Sequence, residues 1–156
     1  MAIEYYLQRC HTPGTLLISE ATFISERGAG YNNIPMIKTP EQIESWRQIV
    51  SAVHGAGCFI ALQMWCLGRA ATPDVIRKEG APFVSSSNVP IVAGSEAPRP
   101  LTAAEIKTLV GDYAQAARNF IEGAGGDAVE IHGANGYSAL SLLHLLAIFV
   151  CSGVRR

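Results

Sequence analysis

Three hydrogen-bonding side chains, His132, Asn135 and Tyr137, lie within the six residues of the motif His-Gly-Ala-Asn-Gly-Tyr. The residues between them are small, so the backbone can turn tightly and a ligand can approach closely. An imidazole and an amide side by side can donate two hydrogen bonds to one carbonyl oxygen and polarise it. A nearby phenol can then donate a proton as a general acid. In the structural alternative His132 caps a strand and Tyr137 packs in the core, but three clustered polar residues favour the functional interpretation.

Other residues of chemically active type receive structural interpretations. His11 lies in a turn, and His54 lies at the end of a predicted helix, where a cationic side chain suits the helix dipole. Cys58 and Cys66 flank an apolar run and are predicted to be packing residues. Arg69 is expected to pair with a carboxylate near the site. No His, Cys or carboxylate spacing fits a metal site, so no metal is expected.

The elements that must position the motif can be predicted from local patterns. Apolar runs predict buried strands at residues 15–18, 58–64 and 128–131. Thr39 with Gln42, and Thr102 with Glu105, form two capping boxes, each of which begins a helix. The order strand, helix, strand, helix, strand is typical of βαβ units and a parallel sheet.

Each predicted helix has an apolar face. The first buried stripe is predicted at Ile43, Trp46, Val50 and Val53. The second is predicted at Ile106, Leu109, Val110, Tyr113 and Ile121. Between the second strand and the second helix, residues 70–100 are rich in Pro, Ser, Gly and Asn, which predicts a long loop with little regular structure. Loops of this length in compact domains are usually functional.

Two parallel architectures compete, an open doubly wound sheet and a closed barrel. The segment Gly28-Ala29-Gly30 resembles the start of a dinucleotide-binding loop, but Tyr-Asn-Asn follows it instead of a helix. Gln63 is the one polar side chain in the apolar run 58–64, and it can either bind a ligand or satisfy neighbouring backbone. Polar residues collect where strands end, as they do in (β/α)8 barrels: Glu20, Thr22, Gln63, Trp65, Glu130 and His132.

Composition excludes several classes of protein. The chain has 156 residues, a length that fits one domain. Its residues are 49% hydrophobic and 16% charged, which argues against disorder. Its formal net charge of −1 argues against nucleic-acid binding and polybasic membrane binding. Its longest apolar run is shorter than the ~18 residues of a membrane span. Four cysteines form no CxxC pair and no signal peptide is evident, which predicts reduced thiols and a cytoplasmic location.

These segments together resemble the Old Yellow Enzyme family of FMN-dependent oxidoreductases, especially its fungal members. The resemblance is carried by residues 4–9, 13–22, 63–70 and 132–137, and by Gln42, Trp46 and His54. It covers almost all of residues 4–137, with strand-end motifs in the right order and spacing. Trp65 matches a family position near the active site but receives no chemical role.

The resemblance implies a TIM barrel that holds FMN at its carboxyl-terminal mouth. It also implies that NADPH or NADH reduces the flavin, which then reduces the C=C bond of an α,β-unsaturated carbonyl compound. Carried over residue by residue, His132 and Asn135 would bind the carbonyl of this enone, and Tyr137 would protonate its α-carbon. Gln63 would hydrogen-bond the flavin ring, and Ala21 would lie against the ring through its backbone.

The chain departs from the family pattern in length and at its end. A complete barrel needs about 250 residues, so the expected fold is α/β, about the first half of a TIM barrel. Residues 1–137 are assigned to this part, and residues 138–156 form a divergent apolar tail. The tail is interpreted as a frameshift, a retained intron or a mispredicted gene end, or else as an amphipathic helix that covers exposed core. The basic residue that faces the flavin and the phosphate-binding loops of the family fall outside the match.

Two hypotheses follow from the sequence. The chain is an ene-reductase of the Old Yellow Enzyme type or a piece of one. Alternatively, it is a non-catalytic remnant or mispredicted gene product that at most associates with proteins, including itself, through exposed barrel edges.

Overall fold

The computed structural model describes residues 2–138 and 149–151 of the chain. Its described strands are β1 (Leu16–Ile18), β2 (Thr22–Phe23), β3 (Phe59–Trp65), β4 (Val84–Ser85), β5 (Arg99–Pro100), β6 (Ala128–Ile131) and β7 (Phe149–Cys151). Its described α-helices are α1 (Ala2–Leu7), α2 (Pro40–Gly55), α3 (Pro73–Lys78) and α4 (Ala103–Arg118). Short 3₁₀ turns span Glu26–Gly28 and Gly68–Ala70, and a π-helical segment, Asn119–Ala124, continues α4. Among the described residues, no helix combines the length and the apolar character that a membrane crossing requires.

The main sheet is built around β3. Strand β3 pairs in parallel with β1 on one side and with β6 on the other, and β2 pairs in parallel with its carboxyl-terminal end. The three predicted strands are therefore confirmed, with bounds that differ from the prediction by at most one residue. Together with the outer helices they form the expected part of a barrel, and the described residues do not close it.

Strand β7 corrects the helical interpretation of the tail. Phe149–Cys151 pairs antiparallel with β6, so the last residues of the predicted apolar helix form a strand. The unpaired edge of β6 offers backbone N–H and C=O groups that a strand can satisfy, which gives the physical reason for the pairing. Residues 139–148, which make up the rest of that predicted helix, lie outside the described residues.

Both predicted capping boxes are present. The Thr39 hydroxyl accepts a hydrogen bond from the Gln42 backbone N–H, and the Gln42 side chain accepts one from the Thr39 N–H. Thr102 and Glu105 make the same reciprocal pair at the start of α4. These bonds satisfy N–H groups that have no partner within the helix, so the sequence determines where α2 and α4 begin.

The predicted burial on α4 is partly wrong. Leu109 is buried, but the side chain of Val110 is 64% exposed. The buried line of this helix continues from Leu109 through Ala116 to Phe120, and Val110 lies about 100° away from Leu109 around the helix axis. The predicted loop at residues 70–100 also contains α3 and the small parallel pair β4–β5.

The two faces of β3 have different surroundings. Ile60, Leu62 and Met64 point toward α2 and α4 and lie in the main hydrophobic core. Residues Phe59, Ala61, Gln63 and Trp65 alternate with them and form the opposite face. At the amino-terminal end of that face, the apolar side chains of Leu16, Ile18 and Phe59 are 44–50% exposed.

Asp127 joins α2 to the sheet. One carboxylate oxygen, Oδ2, accepts from the backbone N–H of Ile60 at 2.8 Å and lies 2.9 Å from Nε2 of His54. The Asp127 N–H in turn donates to the Ile60 carbonyl at 3.2 Å. His54 therefore has a structural position at the end of α2, as the sequence predicts.

Candidate functional site

Gln63 and Glu130 are cross-strand neighbours on the face of the sheet opposite the main core. They are paired in register between β3 and β6, and Gln63 Nε2 donates to Glu130 Oε2 at 3.0 Å. An ionised carboxylate can only accept, so this bond orients the amide and directs Gln63 Oε1 away from Glu130. The Gln63 backbone N–H donates to the Ser19 hydroxyl at 2.9 Å. The side-chain partner is thus a carboxylate, not the neighbouring backbone that the sequence left open as an alternative.

Trp65 is the centre of an aromatic cluster at the carboxyl-terminal end of the same face. Its ring stacks on those of Phe23 and His132, with centroid distances of 5.4 and 6.1 Å and interplanar angles of 18° and 17°. Tyr137 meets it edge to face at 4.9 Å, and Tyr31 does so at 5.8 Å. The indole is 7% exposed, and its buried Nε1 has no hydrogen-bond partner among the described residues.

The loop after β6 is held against the loop after β3. The backbone N–H of His132 donates to the Met64 carbonyl at 3.0 Å, and that of Ser138 donates to the Cys66 carbonyl at 3.1 Å. These two bonds bracket the motif and place the rings of His132 and Tyr137 5.0 Å apart at an angle of 73°. The structure therefore brings Gln63, His132 and Tyr137 to one face and one end of the sheet, as predicted.

The backbone of the motif turns sharply at Asn135. Asn135 has a φ of 57° and Gly136 a φ of 76°, both in the left-handed region. Asparagine tolerates this region better than most side chains, and glycine does so without a steric penalty. Asn135 is exposed, and its side chain makes no hydrogen bond to the described residues. It is therefore available to a ligand that lies over the loop.

His132 is oriented by its own loop. The backbone N–H of Ala134 approaches His132 Nδ1 at 3.4 Å, a long contact that favours the tautomer with its proton on Nε2. Nε2 then acts as a hydrogen-bond donor, which suits the polarisation of a carbonyl oxygen.

Tyr31 is a further member of this site that the sequence patterns did not predict. Its pKa is raised by burial and by the charge interaction with Tyr137. The Gly-rich stretch at residues 28–30, directly before Tyr31, could have indicated a close approach of this loop to the site. Gly30 has a φ of 137°, and a Cβ at this position would lie 2.4 Å from the Cβ of Ala71. Only glycine lets this loop approach closely enough to carry Tyr31 onto Trp65.

Ala21 and Arg69 are two further residues that the sequence predicts at or near the site. Ala21 and Tyr137 both pack against the hydrophobic cluster that contains Trp65. The predicted carboxylate partner of Arg69 is wrong. The guanidinium donates to the hydroxyls of two serines in the following loop at 3.0 and 3.2 Å and to the Val89 carbonyl at 3.2 Å. These neutral acceptors all lie within a few residues of one another, directly after β4, so Arg69 fixes the loop that follows this strand.

The chain is similar to known proteins over most of its length. The family model described as the NADH:flavin oxidoreductase / NADH oxidase family matches residues 1–146. The chain is 51% identical over 137 residues to the "NADP-dependent oxidoreductase lnbE" of Aspergillus flavus, covering 88% of this chain and 36% of the relative. It is 50% identical over 133 residues to the "Probable inactive reductase easA" of Epichloe festucae var. lolii, covering 85% and 35%.

A solved structure shows the same architecture. The crystal structure of Old Yellow Enzyme from Pichia sp. AKU4542 superposes with a TM-score of 0.83 at 40% sequence identity, covering 86% of this chain and 37% of that protein. The chain thus spans about a third of the length of the relatives that it matches.

Proposed function

Because the chain belongs to the NADH:flavin oxidoreductase / NADH oxidase family and is similar to fungal members of the Old Yellow Enzyme type, we propose that it carries the substrate-binding and proton-donating part of an FMN-dependent ene-reductase. The substrate class is an α,β-unsaturated carbonyl compound, and the hydride donor is NADPH or NADH. The observation that carries the proposal is the placement of His132 and Tyr137 on Trp65, at the same end of the sheet face as Gln63.

The residues present fit the ring of FMN. Gln63 directs its free amide oxygen away from Glu130 and can accept a hydrogen bond from a ring N–H. Ala21 packs against the hydrophobic cluster that contains Trp65, and its small side chain leaves room for a flat ring. The chemistry that FMN supplies when bound is hydride transfer from reduced nicotinamide to the substrate.

The side chains of the motif perform the remaining steps. His132 and Asn135 both donate hydrogen bonds to the carbonyl oxygen, which withdraws electron density from the conjugated C=C bond. Tyr137 donates its phenolic proton to the α-carbon as a general acid. Stacking of the imidazole on Trp65 and the edge-to-face contact of the phenol fix both rings before the substrate binds, so the orientation is not assembled during the reaction.

The phosphate of FMN needs a further site, because the phosphate-binding loops of the family fall outside the residues that resemble it. The chain spans about a third of the length of its relatives. Charge-assisted bonds to phosphate are among the stronger hydrogen bonds available to a protein. We therefore expect the isolated chain to hold FMN weakly and to reduce enones negligibly.

The test replaces the matching segment of the Pichia Old Yellow Enzyme with residues 1–138 of this chain, so that the remainder of that protein supplies the rest of the barrel. We expect this hybrid to bind FMN and to reduce 2-cyclohexenone with NADPH. In the hybrid, Tyr137→Phe should slow the oxidative half-reaction roughly 100-fold or more, because a general acid is lost. Reduction of the flavin by NADPH should be unchanged, since it uses other groups, and stopped-flow absorbance separates the two steps. An oxidative half-reaction as fast as that of the parent hybrid would refute the role of Tyr137.

A non-catalytic role is the second candidate. Two observations favour it. Several relatives, including the one from Epichloe festucae var. lolii, are named "Probable inactive", and the side chains of Leu16, Ile18 and Phe59 are exposed on one face of the sheet. Such apolar patches commonly mark interaction surfaces. In this case the isolated chain would self-associate, and Phe59→Ser would shift its sedimentation toward the monomer while the hybrid remained inactive. A cytoplasmic location stays a prediction under either candidate.

A further inference from the structure

Two cysteines outside the proposed site lie side by side at the opposite end of the fold. Cys10 follows α1, Cys58 immediately precedes β3, and both pack on the main hydrophobic core. The thiol of Cys10 donates to the Tyr6 carbonyl at 3.4 Å, and that of Cys58 donates to the Thr12 carbonyl at 3.4 Å. The Cys58 thiol thus contacts the chain two residues beyond Cys10, and the neighbouring Cys58 thiol helps to raise the pKa of Cys10. Cys10 is partly exposed and Cys58 is buried, so one thiol is open to solvent and its neighbour is not.

Backbone bonds hold the two segments together. The N–H of Gly14 donates to the Gly57 carbonyl at 2.7 Å, and the N–H of Phe59 donates to the Thr15 carbonyl at 2.8 Å. The turn that follows Cys10 is therefore fixed against the residues on either side of Cys58. This contact is a property of the folded sheet, since the two cysteines are far apart in sequence.

We propose that Cys10 and Cys58 form a redox-sensitive pair that a small-molecule disulfide, such as oxidised glutathione, converts into an internal disulfide. The Cys10 thiolate attacks one sulfur of oxidised glutathione, forms a mixed disulfide and releases one glutathione thiolate. The Cys58 thiolate then attacks the Cys10 sulfur, forms the internal S–S bond and expels the second glutathione. The two protein thiols are oxidised, one glutathione disulfide is reduced to two thiols, and the two protons lost by the protein go to the departing thiolates.

The bond would close a loop that contains β1, β2 and α2. A cross-link of this kind restricts the unfolded chain and so favours the folded state. The oxidised protein should therefore unfold at a higher temperature than the reduced one. Neither cysteine belongs to the proposed flavin or substrate site, so the redox pair does not depend on the proposed function.

The experiment uses the purified 156-residue chain and oxidised glutathione. The reaction is run at mildly alkaline pH, because burial and the neighbouring Cys58 thiol raise the pKa of Cys10 and the thiolate is the nucleophile. We expect the intact mass to fall by about 2 Da, the loss of two hydrogens on forming the bond. Non-reducing peptide mapping should identify a Cys10–Cys58 cross-link, and dithiothreitol should reverse it.

Matched variants separate a specific pair from general thiol oxidation. Cys66→Ser, which alters a buried cysteine outside the pair, should leave the cross-link and the rise in unfolding temperature unchanged. Cys10→Ser, at a partly exposed position, should abolish both. A stable glutathione adduct on Cys10 with Cys58 still reduced would overturn the proposal. So would cross-links to Cys66 or Cys151 in comparable yield.

Discussion

Replacing Trp65 tests whether one ring holds the candidate site together. Trp65 makes four ring contacts, with Phe23, Tyr31, His132 and Tyr137, at centroid distances of 4.9–6.1 Å. Trp65→Phe retains a ring at this position, whereas Trp65→Leu retains only apolar bulk. Both variants lose buried area, so the difference between them isolates the aromatic contribution.

The expected magnitude follows from the number of contacts. An aromatic pair contributes about 0.5–1.5 kcal/mol beyond its buried area. At the lower end of this range, four contacts contribute about 2 kcal/mol, all of which Trp65→Leu loses. If the smaller ring of Trp65→Phe keeps half of the contacts, the Leu variant should be less stable than the Phe variant by about 1 kcal/mol.

The assay is urea unfolding followed by far-ultraviolet circular dichroism, with linear extrapolation of the free energy of unfolding. Near-ultraviolet circular dichroism reports whether the aromatic side chains stay fixed. The matched control is the other tryptophan, Trp46, which contacts Tyr6 and Phe120 in the main core. Trp46→Phe should destabilise the chain but leave the geometry around His132 intact.

Equal free energies of unfolding for Trp65→Phe and Trp65→Leu, with unchanged urea dependence, would refute this account. The cluster would then be held by shape and burial alone. In the active hybrid, Trp65→Leu should also weaken substrate binding, because the imidazole and phenol lose the surface that orients them.

Two further predictions concern the framework. A hydrogen bond from Arg99, with further bonds from Thr102, lowers the pKa of Glu105 from 4.5 to about 2. This carboxylate therefore stabilises the fold above pH 4.5, and its contribution is lost as the pH falls toward about 2; Glu105→Gln should flatten that part of a stability curve measured by urea unfolding. Asp127→Ala should cost about 2 kcal/mol, because a backbone N–H of β3 loses its charged acceptor. His54→Ala should cost under about 1 kcal/mol in the same assay, since it removes only the partly exposed partner.

Each of these predictions has a clear contrary result. An acid limb that is identical in the parent chain and in Glu105→Gln would show that this carboxylate does not stabilise the fold. Equal losses for Asp127→Ala and His54→Ala would show that the ion pair, and not the bond to the strand, accounts for the effect of Asp127.

Much of the fold follows from the sequence because its signals are local. The capping boxes at Thr39 and Thr102 depend on residues only three positions apart, so the starts of α2 and α4 are predictable. The strands are apolar runs between these helices, and their alternation with helices implies parallel pairing. Gln63 and His132 were identified because they lie where strands end in such a sheet, and Tyr137 because it is clustered with His132 and Asn135.

The contacts of those residues were decided by tertiary structure. The partner of Gln63 is Glu130, which the register between β3 and β6 places beside it. Trp65 received no chemical role from the sequence, yet it contacts both His132 and Tyr137.

The wrong predictions also concern contacts that depend on tertiary structure. The exposure of Val110 and the partners of Arg69 depend on which surface packs against each residue. The strand at Phe149–Cys151 depends on the open edge of β6. Local patterns determine where an element begins and which way it runs, whereas side-chain partners depend on strand register and on close approaches between distant loops, such as that of Gly30 to Ala71. The sequence alone therefore determined the framework and the chemical types at the site, and only the tertiary structure decided which of those side chains touch.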